Sequence, residues 1–534
     1  MKNLLTALLL LIAACSVQSA VRVSELATTN VLAGTNTLAV VVYPRTTNGT
    51  RQVTVDNLFS NRTMSGFSII TNINGRPVSD FTLGGIAANT ANYNGVSYGS
   101  SIYNAVVAAS AAGGGTVFVG PGTYYNCTNL LRNNVNLQGF GNPLLTYTNR
   151  GGDRGYGTFD DRFGGACTSV ISGFSYLFST GFPTQSVDLT SVLSSTTNAS
   201  GPIVVTNPAS RVSISGDSIL LCALETIGNG YAINALSGTN FFKFNTIDEM
   251  FYGTNYLVGT NDIDDPVYDN PRGSAIWWES GECHYEVGVS RTAFYAVYCS
   301  TTKDSLTGNF WMTANKTFGV IYTSNNSSNT TGLWKGWFDI KEHVGAVNVL
   351  DGGGKWYYKF DKLSPTILFN NSSEVWLDAQ KFATEAGNPA IRIYPNKAPR
   401  IWLKIGHFED LGFTGGGGFN AGIEAAGGSL VLEGMDMRMT NNVGVFVDVG
   451  ASAVLKNCRI ALTSVGANAS NAVIVVKTNS LTLDHCTVIG RTNQFSISAP
   501  VTNSVRAYWS SLNNIPTNIA FIAGSTTVTN ALIQ

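Results

Sequence analysis

Four stretches near the C-terminal end of the chain can be laid on one another. Leu430-Val431-Leu432-Glu433 aligns with Ala453-Val454-Leu455-Lys456, then with Leu481-Thr482-Leu483-Asp484, then with Val505-Arg506-Ala507-Tyr508. The interval is about two dozen residues and drifts by a few, as expected for stacked units joined by turns of variable length. The first and third residues of each unit are apolar, the period of a strand. The sixth position reads Met435, Cys458, Cys486 and Ser510, small or soft residues that suit a tight interior row. A second strand follows: Val445 and Val447, then Val473 and Val475, then Ile497 and Ala499. No helical pattern separates the strands. Parallel strands that repeat through short turns without a crossover helix wind as a solenoid. The expected fold is therefore all-β: a single-stranded, right-handed parallel β-helix. Ile401-Trp402-Leu403 and Val375-Trp376-Leu377 extend the repeat upstream. Between 150 and 370 strand-like runs recur, but the register is lost among long loops.

Charged residues make up 12% of the 534 positions and the net charge is −1. That share is about half of the usual roughly 25%. Such a surface gives no basis for electrostatic binding of nucleic acid or anionic lipid. Residues 1–20 read as an export signal: Lys2, an apolar run from Leu4 to Ala14, then small residues. The run is too short for a spanning anchor. Two processing routes stay open. Cleavage can follow Ser19 or Ala20, or Cys15 can carry a lipid anchor, since Ile12-Ala13-Ala14-Cys15 resembles a bacterial lipobox. The expected location is secreted or on the outer cell surface, with a virion as the alternative. Cys458 and Cys486 are expected to be free, because coils about 4.8 Å apart exceed the ~3.8 Å Cβ separation of a disulfide. Cys283 and Cys299 are a candidate pair. No CxxC or Cys/His spacing suggests zinc.

Residues 21–60 read as a small β module, with a strand at Leu38 to Val42, an Asn48-Gly49 turn and a return strand at Gln52 to Val55. Residues 61–98 read as linker and lead-in, and 99–534 as the β-helix. A cap helix is expected over 100–112, with Ile102, Ala105, Val106 and Ala109 on its apolar face and Gly113-Gly114-Gly115 ending it. This Ala-rich helix, followed by GGGTVFVGPGTYY and VNLQGFG, resembles the opening of pectate-lyase-superfamily proteins, whose fold is the pectin-lyase-like β-helix. The resemblance implies that the helix plugs the open N-terminal end of the solenoid. Gly99-Ser100-Ser101 stands where that family usually carries Asp residues. The superfamily includes lyases, hydrolases, epimerases, virion spikes and non-catalytic members, so the resemblance implies no single activity. The 21–58 pattern (Ser24-Glu25-Leu26, Leu38-Ala39-Val40-Val41, Gln52-Val53-Thr54-Val55) is similar to N-terminal modules of phage tail proteins. That likeness implies a tail-like or adhesin role and a homotrimer.

Two constellations carry candidate chemistry. The residues following each inner Leu of the repeat read Asp378, Lys404, Glu433, Lys456 and Asp484, alternating in sign. Directly before each inner Leu, Trp376 and Trp402 fall on adjacent coils and so are expected to stack outside. A sugar platform follows, with Trp376 and Trp402 binding substrate beside Asp378, His407, Glu433 and Asp436 as candidate catalytic groups, since paired carboxylates can cleave glycosides. The plainer alternative is that a loop covers the Trp pair and the charges merely pair along the ladder. The second constellation is acidic: Asp262, Asp264, Asp265 and Asp269 are candidate Ca²⁺ ligands. Trp277 and Trp278 are added substrate contacts there, and Arg291 is a candidate base for a lyase. The polygalacturonase motif set is absent. The expected function is binding, and by extension cleavage, of polysaccharide by a lyase or hydrolase; the alternative is a non-catalytic tail-like or adhesin protein.

Overall fold

The computed structural model describes the strands and tight turns between residues 91 and 529, with 72–73 and 76–77; the other residues up to 90, and longer loops such as 181–201 and 252–273, lie outside the described residues. The expected small β module and export signal fall outside them.

Each coil strand pairs in parallel with its counterpart one turn away, from Gly115–Val119 against Val135–Gly139 to Ser511–Asn513 against Thr527–Thr529. Leu455 is the direct partner of Leu483, and Val375, Ile401, Leu430 and Ala453 are successive partners in one row. The fold is a right-handed parallel β-helix. Its interior is one apolar cluster running along the axis.

The N-terminal end is closed in two ways. The helix Ile102–Ala111 buries Ile102, Ala105, Val106 and Ala109, the expected face. The free edge of Gly115–Val119 is covered by Ala91–Tyr93, which runs antiparallel to it and to Val96–Tyr98. Both devices hide backbone groups that an open terminal coil would present.

In the C-terminal coils the first two strands meet at a corner, where Gly434, Asn457, His485 and Trp509 take φ of 68°, 52°, 53° and 44°. A left-handed residue there turns the chain and points the next one inward, which explains why Met435, Cys458, Cys486 and Ser510 are all buried. Further upstream the same corner is passed without a break. Arg400–Asp410 is one continuous strand that pairs with both Gly428–Glu433 and Asp436–Met439.

Three expectations are corrected. The second-strand alignment slips by one: Val445 partners Ile474, not Val473, and Val447 partners Val476. Both Val473 and Ile474 are buried, so apolar pattern alone does not fix the register there. The register across the middle is not lost either; parallel pairing runs unbroken from Thr168–Thr180 to Arg400–Asp410. Coil length is what varies. One turn takes 19 residues between Asp361 and Gln380 and 43 between Asp248 and Arg291. Finally, Cys283 and Cys299 are buried free thiols, as are Cys458 and Cys486.

Candidate functional site

Side chains alternate in and out along each strand, and in-register stacking turns every outward position into a column. On one face, the column just before each inner residue runs His284, Trp311, Trp337, Tyr357, Trp376, Trp402, then Val431 and Val454. The rings stack nearly parallel. Centroid separations along the series are 4.3, 5.1, 5.8, 4.6 and 4.7 Å, with planes within 7° of one another. All of these centroid spacings exceed direct atomic contact of ~3.5–4.0 Å, as in offset stacking, the favoured geometry for π systems. Each ring in the ladder belongs to a residue that stays partly open to solvent. Five of the six rings are half-buried and His284 is exposed. The ladder ends in a step, where the indole of Trp402 meets the shorter Val431.

Two positions further on, a second column reads Lys243, Glu286, Thr313, Asp339, Lys359, Asp378, Lys404, Glu433, Lys456 and Asp484. Sign alternates at every coil from Asp339 onward. Neighbours pair: Lys359 Nζ lies 3.0 Å from Asp339 Oδ2, and Lys404 Nζ lies 3.5 Å from Asp378 Oδ2. Parallel in-register stacking brings the side chains of successive rungs close together, and opposite charges turn that proximity into attraction.

Between the two columns lies an open groove of about 750 Å³, running along the axis. Trp311, Trp337, Tyr357, Trp376 and Trp402 form one wall, and Asp339, Lys359, Asp378, Lys404 and Glu433 the other. It is long, shallow and mixed in character, with apolar ring surface on one side and charged or hydrogen-bonding tips on the other.

The sequence-derived candidates divide. Trp376, Trp402, Asp378 and Glu433 share this groove. His407 and Asp436 sit together beyond the coil corner, in a different column, with His407 Nδ1 4.0 Å from Asp436 Oδ2. Arg438 and Arg459 also hold Asp436, at 3.0 and 3.1 Å. Partial burial works to raise the Asp436 carboxyl, but hydrogen bonds from Arg459 and Arg438 outweigh it and keep the group below its ordinary value. Arg291 Nε lies 2.6 Å from Asp248 Oδ1, and hydrogen bonds to that carboxylate raise its pKa further. A guanidinium held in this way keeps its proton, which argues against its use as a base. Trp278 is corrected outright: it is wholly buried, packed on Phe310 and Trp334 inside the coil, so it cannot meet a ligand on the outer face. Trp277 points outward on another side, within an aromatic group with Tyr231 and Tyr298. Asp262, Asp264, Asp265 and Asp269 lie outside the described residues. Among the described residues no group of three or more His, Cys, Asp or Glu is placed to hold a metal ion.

Trp311, Trp337 and Tyr357 were missed in the sequence, although a signal exists. Phe310-Trp311-Met312, Gly336-Trp337-Phe338, Trp356-Tyr357-Tyr358, Val375-Trp376-Leu377 and Ile401-Trp402-Leu403 are one motif, an outward aromatic before an inner apolar residue. Unequal coil lengths hid its period. No protein-family model, no curated protein and no solved structure matches this chain.

Proposed function

We propose that the protein binds an extended polysaccharide lengthwise in the groove between the aromatic and charged columns. The observation that carries this reading is the ring ladder itself, shingled over several coils beside a row of charged tips. Sugar C–H faces pack on exposed ring surface, and the charged tips supply hydrogen bonds to hydroxyl or carboxylate groups. A site repeated at the coil spacing suits a polymer better than a small ligand. The export signal expected over residues 1–20 and the resemblance of residues 100–139 to the opening of pectate-lyase-superfamily proteins support the same reading.

Neither Asp436 nor Glu424 is placed to serve this groove as a general acid. Glycoside cleavage needs a carboxyl kept protonated near neutral pH. Asp436 is held the opposite way. Among the described residues Glu424 is the carboxyl that burial raises, and it lies outside the groove against Arg392, 3.2 Å away.

Affinity electrophoresis through gels containing extended acidic or neutral glycans tests the reading. The protein is expected to be retarded by at least one polymer, and Trp402→Ala to abolish the retardation while the far-UV circular dichroism spectrum is unchanged. Free migration in every polymer, or retardation indifferent to Trp402→Ala, would overturn it.

A further inference from the structure

The charge column bears on which glycan the groove would take. Along the groove, Lys359 and Lys404 are separated by the coil that carries Asp378, and Lys456 follows beyond Glu433. Charges of one sign therefore recur every second coil, about 9.6 Å apart at a rung spacing of about 4.8 Å. A disaccharide of an extended chain has a comparable length, so one sugar spans one rung.

Such a ladder discriminates between polymers. A chain with a carboxylate on every sugar places every second one against Asp378 or Glu433, and like charges so placed repel. A chain with a carboxylate on every other sugar sets each against a lysine and leaves an uncharged amide or hydroxyl sugar facing each carboxylate. The existing pairs do not prevent this exchange. The side chains of Lys404 and Asp378 are 65% and 54% exposed, and those of Lys359 and Asp339 are 60% and 57% exposed. Ion pairs this open contribute little, so a lysine can turn to a ligand at small cost.

Resting on the glycan-binding reading above, we infer that the groove selects an acidic polysaccharide of alternating composition, with one carboxylate per disaccharide, laid along the axis with its carboxylates on Lys359 and Lys404. The aromatic wall supplies contact to any extended glycan, and the lysines supply the choice among them.

Affinity electrophoresis or calorimetry with three polymers tests this: hyaluronan, with a uronate on alternate sugars; polygalacturonate, with one on every sugar; and a soluble neutral cellulose derivative. Hyaluronan is expected to bind tighter than either of the others by on the order of tenfold, and to weaken as salt is raised. The double variant Lys359→Gln/Lys404→Gln is expected to lose the salt dependence and to bring the ratio of hyaluronan to neutral-polymer affinity from on the order of tenfold down to about one. Equal or tighter binding of polygalacturonate, or a preference untouched by the double variant, would overturn the inference. If the neutral polymer binds as well as hyaluronan and Trp402→Ala abolishes both, the groove stands and the charge matching falls. If no polymer is bound, both fall together.

Discussion

The ring ladder predicts an asymmetry between its inner and terminal rungs. Trp376 is stacked on both faces, by Tyr357 at 4.6 Å and by Trp402 at 4.7 Å. Trp402 has one aromatic partner, since its other neighbour in the column is Val431. A stacked pair contributes about 0.5–1.5 kcal/mol beyond the area it buries. Replacing Trp376 by Ala removes two such pairs, about 1–3 kcal/mol, and Trp402→Ala removes one. Both lose comparable apolar contact, because both indoles are half-buried. Trp376→Ala should thus be the more destabilising by about 0.5–1.5 kcal/mol. Urea unfolding followed by circular dichroism, with midpoint and slope compared for each variant, reads the difference. Trp376→Leu refines it by restoring apolar volume without the π contacts; it should recover the area part of the loss and not the stacking part. Equal losses at the two positions, or full recovery by leucine, would show that the rings act as ordinary apolar surface and that their alignment is incidental.

Three further outcomes follow from the fold. Gly336→Ala places a methyl group into the ring of Trp356 on the next coil, an overlap that should destabilise by about 1–3 kcal/mol in the same unfolding assay; a neutral result would show that the interior there is loosely packed. Folding lowers the Asp436 pKa, so its contribution is complete above the unfolded value near 4 and is lost as pH falls through the lower folded value. Asp436→Asn should therefore be less stable than the parent at neutral pH and indistinguishable from it in acid, and a pH-independent difference would contradict the pairing with Arg438 and Arg459. Burial pushes the Cys127 thiol up to about 12 and raises Cys283 still further. Both should resist alkylation in the native protein and react once it is unfolded, as followed by mass spectrometry; rapid native labelling would place them at the surface.

The winding of the chain was legible wherever the repeat kept its length. Leu430, Ala453, Leu481 and Val505 announce themselves as one row, because a strand's alternation and a constant turn make the same side chain return to the same place. The cap helix was legible for the same reason of local pattern, its four apolar residues falling on one face. The Trp376–Trp402 stack and the alternation of Asp378, Lys404 and Glu433 also followed from register alone, as those residues lie in the part of the repeat that could be counted.

What could not be counted had to be folded. Coils of 19 and 43 residues carry the same strands with different loops, so Trp311, Trp337 and Tyr357 are brought into line with Trp376 only by hydrogen bonding between coils. The corner between strands was equally hidden. It separates His407 and Asp436 from the groove although both are near Lys404 or Glu433 in sequence, because beyond the corner outward residues belong to a different face of the coil. Trp277 and Trp278 are adjacent in the chain, yet alternation sends one outward and the other wholly into the core. Sequence by itself determined that this chain coils and that its outer rungs alternate in charge, since those depend on residue type at a regular interval. Which rungs stand side by side, and which walls close a groove, depended on the lengths of intervening loops, and only the tertiary pairing of the strands decided that.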